Sequence, residues 1–319
     1  MKDIKKVELH LHLDGSVRIE TIKELSGLPL ETVKENMQVQ KDCTSLIDYL
    51  TKFELPLKYM QVSDNLTRIT KELIEDLEKD NVIYAEIRFA PSLHTKEGLT
   101  LEEVVDAVLL GTKYSKIKVG IILCMMRGDT KENNLKIIEL TRKYLDKGIC
   151  AIDLAGSEQQ YPNHLYKELF DGINKLEIPF TIHSGEASGA SSVIQAVDFN
   201  TTRIGHGINL ENNHELINTI KSKNILLEIC PTSNIQTKAV DNISCHPIYN
   251  YYKLGLPISI NTDNRTVSNI TLTSEYQLLK DTFGFTKEDF TTINKMALEH
   301  AFIDETTKKN LINILETNR

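Results

Sequence analysis

Residues 7–16 read VELHLHLDGS. Apolar and polar side chains alternate along this stretch, the period-two pattern of a β-strand. It places His10, His12 and, just beyond in the same register, Asp14 on one face, with Leu11 and Leu13 on the other. Two imidazoles on one strand face are placed to chelate a metal. An edge strand whose histidines face water explains an isolated His-x-His equally well, so the rest of the chain decides.

Seven further runs rich in Val, Ile and Leu follow, each ending in a polar or glycine-containing cluster: YAEIRFAP (84–91), KVGIILCMMR (118–127), ICAIDLAG (149–156), FTIHSGE (180–186), TRIGHG (202–207), ILLEICP (225–231) and ISINTDN (258–264). From YAEIRFAP onward they start about 20 to 35 residues apart, the length of one βα unit. Helical patterns lie between them, and two open on capping boxes, Thr100 with Glu103 and Thr286 with Asp289. Eight β-then-α units predict an α/β chain folded as a (β/α)8 TIM barrel, whose catalytic groups sit at the C-terminal strand ends. Residues 13–83 are too long for one crossover and include the amphipathic SLIDYLTKFELPLKYMQ (45–61), which predicts extra helices over the barrel mouth. No linker, repeat or low-complexity tract divides the chain, so one domain spanning 1–319 is expected.

Composition narrows the function. The chain has 319 residues, 40% of them hydrophobic, enough for the core of an enzyme-sized barrel. A formal net charge of -8 disfavours nucleic acid or an anionic membrane as partner and leaves a small molecule. MKDIKK runs into the first strand without an apolar signal segment, and no apolar run reaches a membrane span, so a cytoplasmic protein is expected. Cys43, Cys124, Cys150, Cys230 and Cys245 are scattered without a CxxC pair and are expected to be reduced and mostly buried. Oligomeric state has no legible signal.

Strand endings become an inventory under the barrel rule: His10 and His12 on the first, His183 and Glu186 on the fifth, His206 on the sixth, Glu228 on the seventh and Asp263 on the eighth. Each alone has a bland explanation, such as a core histidine or a helix-capping aspartate. Gathered on one barrel face, three imidazoles and a carboxylate suit zinc or another divalent transition metal, and the lack of thiolates disfavours a closed structural site. A catalytic ion would lower the pKa of bound water from 15.7 to about 7.

The ordered set HLHLDGS, IRFAP, DLAG, HSGEA, RIGHG, CPTSN and INTDN, with Lys52 and Phe53 in the gate-like KF and the C-terminal NKMALEHAF, resembles the adenosine deaminase family of metal-dependent amidohydrolases over essentially the whole chain. The resemblance implies that His10, His12, His183 and Asp263 hold one zinc ion, His12 also bordering the substrate and Asp263 taking a proton from the attacking water. It implies that Glu186 protonates purine N1 while hydroxide attacks C6, and that His206 orients the hydroxide and stabilises the tetrahedral intermediate. Glu228 is expected as support for His206, with a plain buried ion pair as the alternative. Gly156 resembles the residue whose N–H meets purine N3, Asp14 the acceptor of the ribose 5′-hydroxyl, and Leu50 and Phe53 the apolar lid.

Animal members carry a second aspartate after the ligand aspartate, toward purine N7, where this chain has Asn264, an ending more like bacterial members. Ser157 stands where many relatives have aspartate. The resemblance implies deamination of adenosine and 2′-deoxyadenosine. Deaminases of adenine, of 5′-modified adenosines or of N6-methyl-AMP share most of these motifs, and a non-enzymatic nucleoside- or zinc-binding barrel would need neither Glu186 nor His206. Arg88, Arg127, His94, His164, His214, His246 and His300 fit no such pattern and read as structural or surface residues.

Overall fold

All eight expected strands form: β1 (Lys6–His12), β2 (Val82–Phe89), β3 (Lys118–Met126), β4 (Ile149–Ala155), β5 (His183–Ser184), β6 (Arg203–His206), β7 (Leu226–Ile229) and β8 (Ile258–Ile260). The structure is a computed structural model that describes residues 1–317 except 41, 42, 44, 211 and 212. Strands pair in parallel in chain order as β1–β4 and β5–β8. Two joins close the ring. At one, Asp263 N–H donates to His10 O at 2.9 Å and His12 N–H to Asp263 O at 2.7 Å. At the other, Ile152 N–H donates to Pro179 O at 3.0 Å and Thr181 N–H to Ile152 O at 3.1 Å. The first strand is therefore not an edge, and the water-facing reading of its histidines falls.

The segment expected as one strand over 180–186 is paired on alternate sides. Residues 179–181 bond β4, and only His183 and Ser184 form regular pairs with β6, because Gly185 turns left-handed at φ 71° and ends the strand.

Extra helices do fill the insert after β1. The stretch 45–61 does not form one helix; it breaks into Leu46–Leu50, a tight turn at Thr51–Phe53 and Glu54–Tyr59. Pro56 accounts for the break, since it has no N–H to give and its ring crowds the carbonyl four residues back. Helix Ser63–Lys79 then makes the ordinary crossover to β2. Both expected capping boxes are present, at Thr100 with Glu103 and at Thr286 with Asp289. Among the described residues no helix is long and apolar enough to cross a membrane.

Alternation sorts the barrel wall. Leu9, Leu11 and Leu13 point outward into helix-packed apolar clusters, while Glu8 and His10 point inward and are fully buried. Branched apolar side chains ordinarily dominate a barrel interior. Here Glu86, Arg88, Asp153, Arg203 and Glu228, all with no exposed surface, form an ionic layer across it. Arg88 bonds Asp153 at 2.9 Å and Glu228 at 2.8 Å, and Arg203 bonds Glu228 at 2.7 Å and Glu86 at 2.5 Å. That layer is the floor on which the barrel mouth is built.

Candidate active site and metal centre

His10, His12, His183 and Asp263 converge at the mouth, with one donor atom from each inside a 4.8 Å sphere of mutual distances. His12 Nε2 lies 3.3 Å from His183 Nε2 and 3.4 Å from Asp263 Oδ1, and His10 Nε2 lies 3.6 Å from the same oxygen. Donors about 2.0–2.1 Å from one ion stand roughly 3 to 4 Å apart, so these spacings fit donors that share one metal ion. Chemistry agrees with geometry. His10 Nε2 is buried without a hydrogen-bond partner, a costly state for a polar atom that a metal would relieve. Burial keeps His12 and His183 from protonating, as ligation requires, and Asp263 is held well below the ordinary carboxylate range because His10 and His12 outweigh its burial. These four residues form a site able to hold a metal ion.

The ionic layer supports the cluster from beneath. His10 Nδ1 meets Glu228 Oε2 at 2.8 Å, and Asp153 Oδ2 lies 2.9 Å from His183 Nδ1, too oblique for a linear hydrogen bond. Counting Asp263, four carboxylates face two guanidiniums, an excess of negative charge that a divalent cation would offset. Glu228 does not support His206; the alternative expectation, a buried ion pair, is what forms, with Arg88 and Arg203. Register explains it: Glu228 pairs with Gly205 rather than His206, one residue deeper, where Arg88 and Arg203 hold it beside His10. His206 Nδ1 instead meets Asn234 Nδ2 at 3.0 Å.

A cavity of about 260 Å³ opens above the ligands. Its walls include every other expected site residue: Asp14, Leu50, Phe53, Gly156, Glu186, His206 and Asn264. Among the described residues lining it there is no Lys or Arg. Glu186 Oε1 accepts from Thr237 Oγ1 at 3.0 Å, and Oε2 lies 3.5 Å from His206 Nε2. Burial, then the charge of Asp263, pushes Glu186 up to about 8. Burial likewise raises Asp14 to about 6, which leaves it mostly ionised at neutral pH. Ser233 Oγ donates to Asp263 Oδ2 at 2.6 Å and holds that carboxylate in place.

Two site residues carry backbone strain. His206 and Asp263 have φ of 63° and 59°, a left-handed conformation that costs a side-chain-bearing residue on the order of 1–2 kcal/mol. Gly156 has φ 103°, open only to glycine, and lies on the cavity wall. At Gly15 the constraint is space, since a Cβ there would fall 1.8 Å from Asn264 Oδ1.

Three residues escaped the sequence reading. Asp153 was detectable, because the alternation that flagged His10 and His12 also turns the aspartate of ICAIDLAG inward. Glu158, just past β4, collects the backbone N–H groups of Gly185 at 2.6 Å, Glu186 at 3.2 Å, Ala187 at 3.0 Å and Ser188 at 3.1 Å, and the hydroxyl of Ser192. Its position after a strand end was a signal, but four amides converging on it was not readable. Asn234 lies inside helix Pro231–Gln236 and ends the CPTSN motif, but nothing in the sequence paired it with His206. Of the residues read as structural or surface, Arg88, Arg127, His94 and His246 are buried and His164 and His214 exposed. Three of the five cysteines are buried and none is in a disulfide.

The chain is similar to known proteins over almost its full length. A family model described as adenosine deaminase matches residues 5–318. The chain is 40% identical to the adenosine deaminase of Clostridium acetobutylicum over 98% of both chains. Among solved structures it is similar to Arabidopsis ADAL complexed with IMP, at 27% identity and a TM-score of 0.89, covering 99% of this chain and 97% of that one. It is also similar to the N6-methyl-AMP deaminase of Arabidopsis thaliana, at 27% identity and a TM-score of 0.88 with the same coverage.

Proposed function

The chain belongs to the adenosine deaminase family, and from that premise we propose that it hydrolyses adenosine and 2′-deoxyadenosine to the corresponding inosines with release of ammonia. The observation that carries the reading is one cavity in which four convergent metal donors adjoin a proton-bearing Glu186 and a neutral His206. The barrel acts as a single unit over 1–319, with a small purine as its partner.

His10, His12, His183 and Asp263 would hold one Zn2+ per chain, a metal that imidazole and carboxylate donors suit. When bound, zinc supplies a water whose pKa falls to about 7. Asp263, fixed through Oδ2 by Ser233, would be the residue placed to accept a proton there. Glu186 retains its proton near neutral pH and donates it to purine N1, which makes C6 the electron-poor position open to attack. A cation on the neighbouring ligands would pull the Glu186 value down. His206 donates from Nε2 to the oxygen that gains negative charge as C6 becomes tetrahedral.

Asp14 accepts the ribose 5′-hydroxyl, Gly156 offers its N–H to purine N3, and Asn264 offers an amide N–H to N7, which a carboxylate could do only when protonated. Leu50 and Phe53, with Leu46, Tyr49 and Leu57, form the apolar lid. An ionised Asp14 in a cavity with no Lys or Arg among its described lining residues repels a 5′-phosphate, which supports nucleoside over nucleotide.

The test is a spectrophotometric comparison of adenosine, 2′-deoxyadenosine, adenine, AMP and N6-methyl-AMP on one zinc-loaded sample. Adenosine and its deoxy form should exceed the others in kcat/KM by about 10²-fold or more, because a polar site rejects ligands that leave it unpaired. A ranking led by AMP or N6-methyl-AMP would refute the nucleoside assignment. Asp14→Asn should narrow the gap between adenosine and AMP.

A further inference from the structure

The role given to His206 above, on which this inference rests, requires one tautomer: Nε2 must carry the hydrogen to donate into the cavity, so Nδ1 must be bare. The cavity itself does not impose that choice. A buried chain behind His206 does. Ile248 N–H donates to His246 Nδ1 at 3.2 Å, His246 Nε2 meets Asn234 Oδ1 at 3.3 Å, and Asn234 Nδ2 meets His206 Nδ1 at 3.0 Å. Asn234 has no exposed surface, and His206 and His246 have almost none.

We propose that His246 is a positioning residue which, through Asn234, locks His206 with its hydrogen on Nε2. Two directions of the chain are conceivable, because an amide can turn over and an imidazole can move its hydrogen. A backbone N–H can do neither. Ile248 opens helix Ile248–Lys253, where the first amides have no partner within the helix, and its N–H points at His246 Nδ1. That nitrogen must therefore accept, so His246 carries its hydrogen on Nε2 and donates to the carbonyl oxygen of Asn234. The Asn234 amide nitrogen must then donate to His206 Nδ1. In the reverse direction two hydrogens would meet at His246 Nδ1 in a buried position. Burial supports the arrangement, because it pushes His246 down to about 3 and keeps Nδ1 free to accept throughout the working pH range.

The experiment is nitrogen NMR on the zinc-loaded enzyme with 15N-labelled histidine, which separates the two tautomers, combined with steady-state kinetics. In the unmodified protein His206 and His246 should both show hydrogen on Nε2. Asn234→Asp offers two acceptors and no donor, so His206 should carry hydrogen on Nδ1 and kcat should fall about 10²- to 10³-fold. KM should stay within about threefold and zinc at one per chain. His246→Leu frees the amide to turn, so His206 should show both tautomers and lose several-fold in kcat, and His246→Gln, which still presents an N–H, should recover most of it. Hydrogen on Nδ1 of His206 in the unmodified protein overturns the proposal, as does a single unchanged tautomer in His246→Leu or undiminished kcat in Asn234→Asp. The tautomer of the unmodified protein is read without substrate, so a wrong substrate assignment would leave that result standing.

Discussion

Glu228 Oε2 stands 2.8 Å from Nδ1 of His10, on the opposite edge of the ring from the nitrogen that faces the other metal donors. Glu228 thereby fixes the ring's orientation and leaves Nε2 bare. Partners of this kind typically contribute 10- to 100-fold in metal affinity. Glu228→Gln should weaken zinc binding by about that factor in a chelator competition. It should also lower the melting temperature, because Arg88 and Arg203 both lose a buried counter-charge, a change that costs roughly 3–5 kcal/mol. Unchanged zinc affinity would show that Glu228 does not act on the metal site.

Glu158 holds four consecutive amides of the segment that carries Glu186. Glu158→Gln replaces one accepting oxygen with an NH2 that faces N–H donors, and the segment must move. A displacement of about 1 Å at a catalytic group costs about 10²-fold. The variant should lose 10- to 100-fold in kcat with KM and zinc content little altered, as read by steady-state kinetics and metal analysis. Wild-type kcat would show that the clamp does not position Glu186.

Glu186→Gln should keep its fold and zinc and lose about 10²- to 10⁴-fold in turnover, the usual contribution of a positioned proton donor. The pH profile carries the same information. Because the working form is protonated, kcat/KM should fall as pH rises through a value at or below about 8, and the variant should lack that limb. A variant with near-normal turnover would remove Glu186 from the donor role.

His94 is fully buried, with Nδ1 3.0 Å from Met60 O, and burial lowers it from 6.5 to about 4. The unfolded chain therefore binds a proton between these values that the folded chain does not. The stability contributed by neutral His94 is complete above pH 6.5 and is lost as pH falls toward 4, by roughly 3 kcal/mol in all. Melting temperatures from pH 7 to 4.5 should fall more steeply for the natural protein than for His94→Gln. Parallel curves would mean that His94 does not contribute to acid sensitivity.

Much of the fold was legible because it depends on local periodicity. Alternation in VELHLHLDGS, together with runs recurring at βα spacing, is enough to count eight strands and to turn His10, His12, His183, His206 and Asp263 toward one mouth. The break in residues 45–61 was also written locally, in Pro56, though the amphipathic pattern hid it. Partnerships were less legible. Glu228 looked like a companion of His206 because both come from neighbouring strand ends, yet a one-residue offset in the β6–β7 register assigns it to His10. The partners of Glu158 and Asn234 were not legible, since they are amides and rings that are distant in sequence.

By itself the sequence determined which side chains face the inside of the barrel and which strand ends carry them, because a strand's two-residue repeat is a property of the chain alone. Only the tertiary structure decided who touches whom there. Pairing depth, closure between β1 and β8, and the direction of the hydrogen bonds from Ile248 to His206 depend on how distant segments stack around the ring. No local pattern encodes those offsets, because each is set by the packing of the whole barrel.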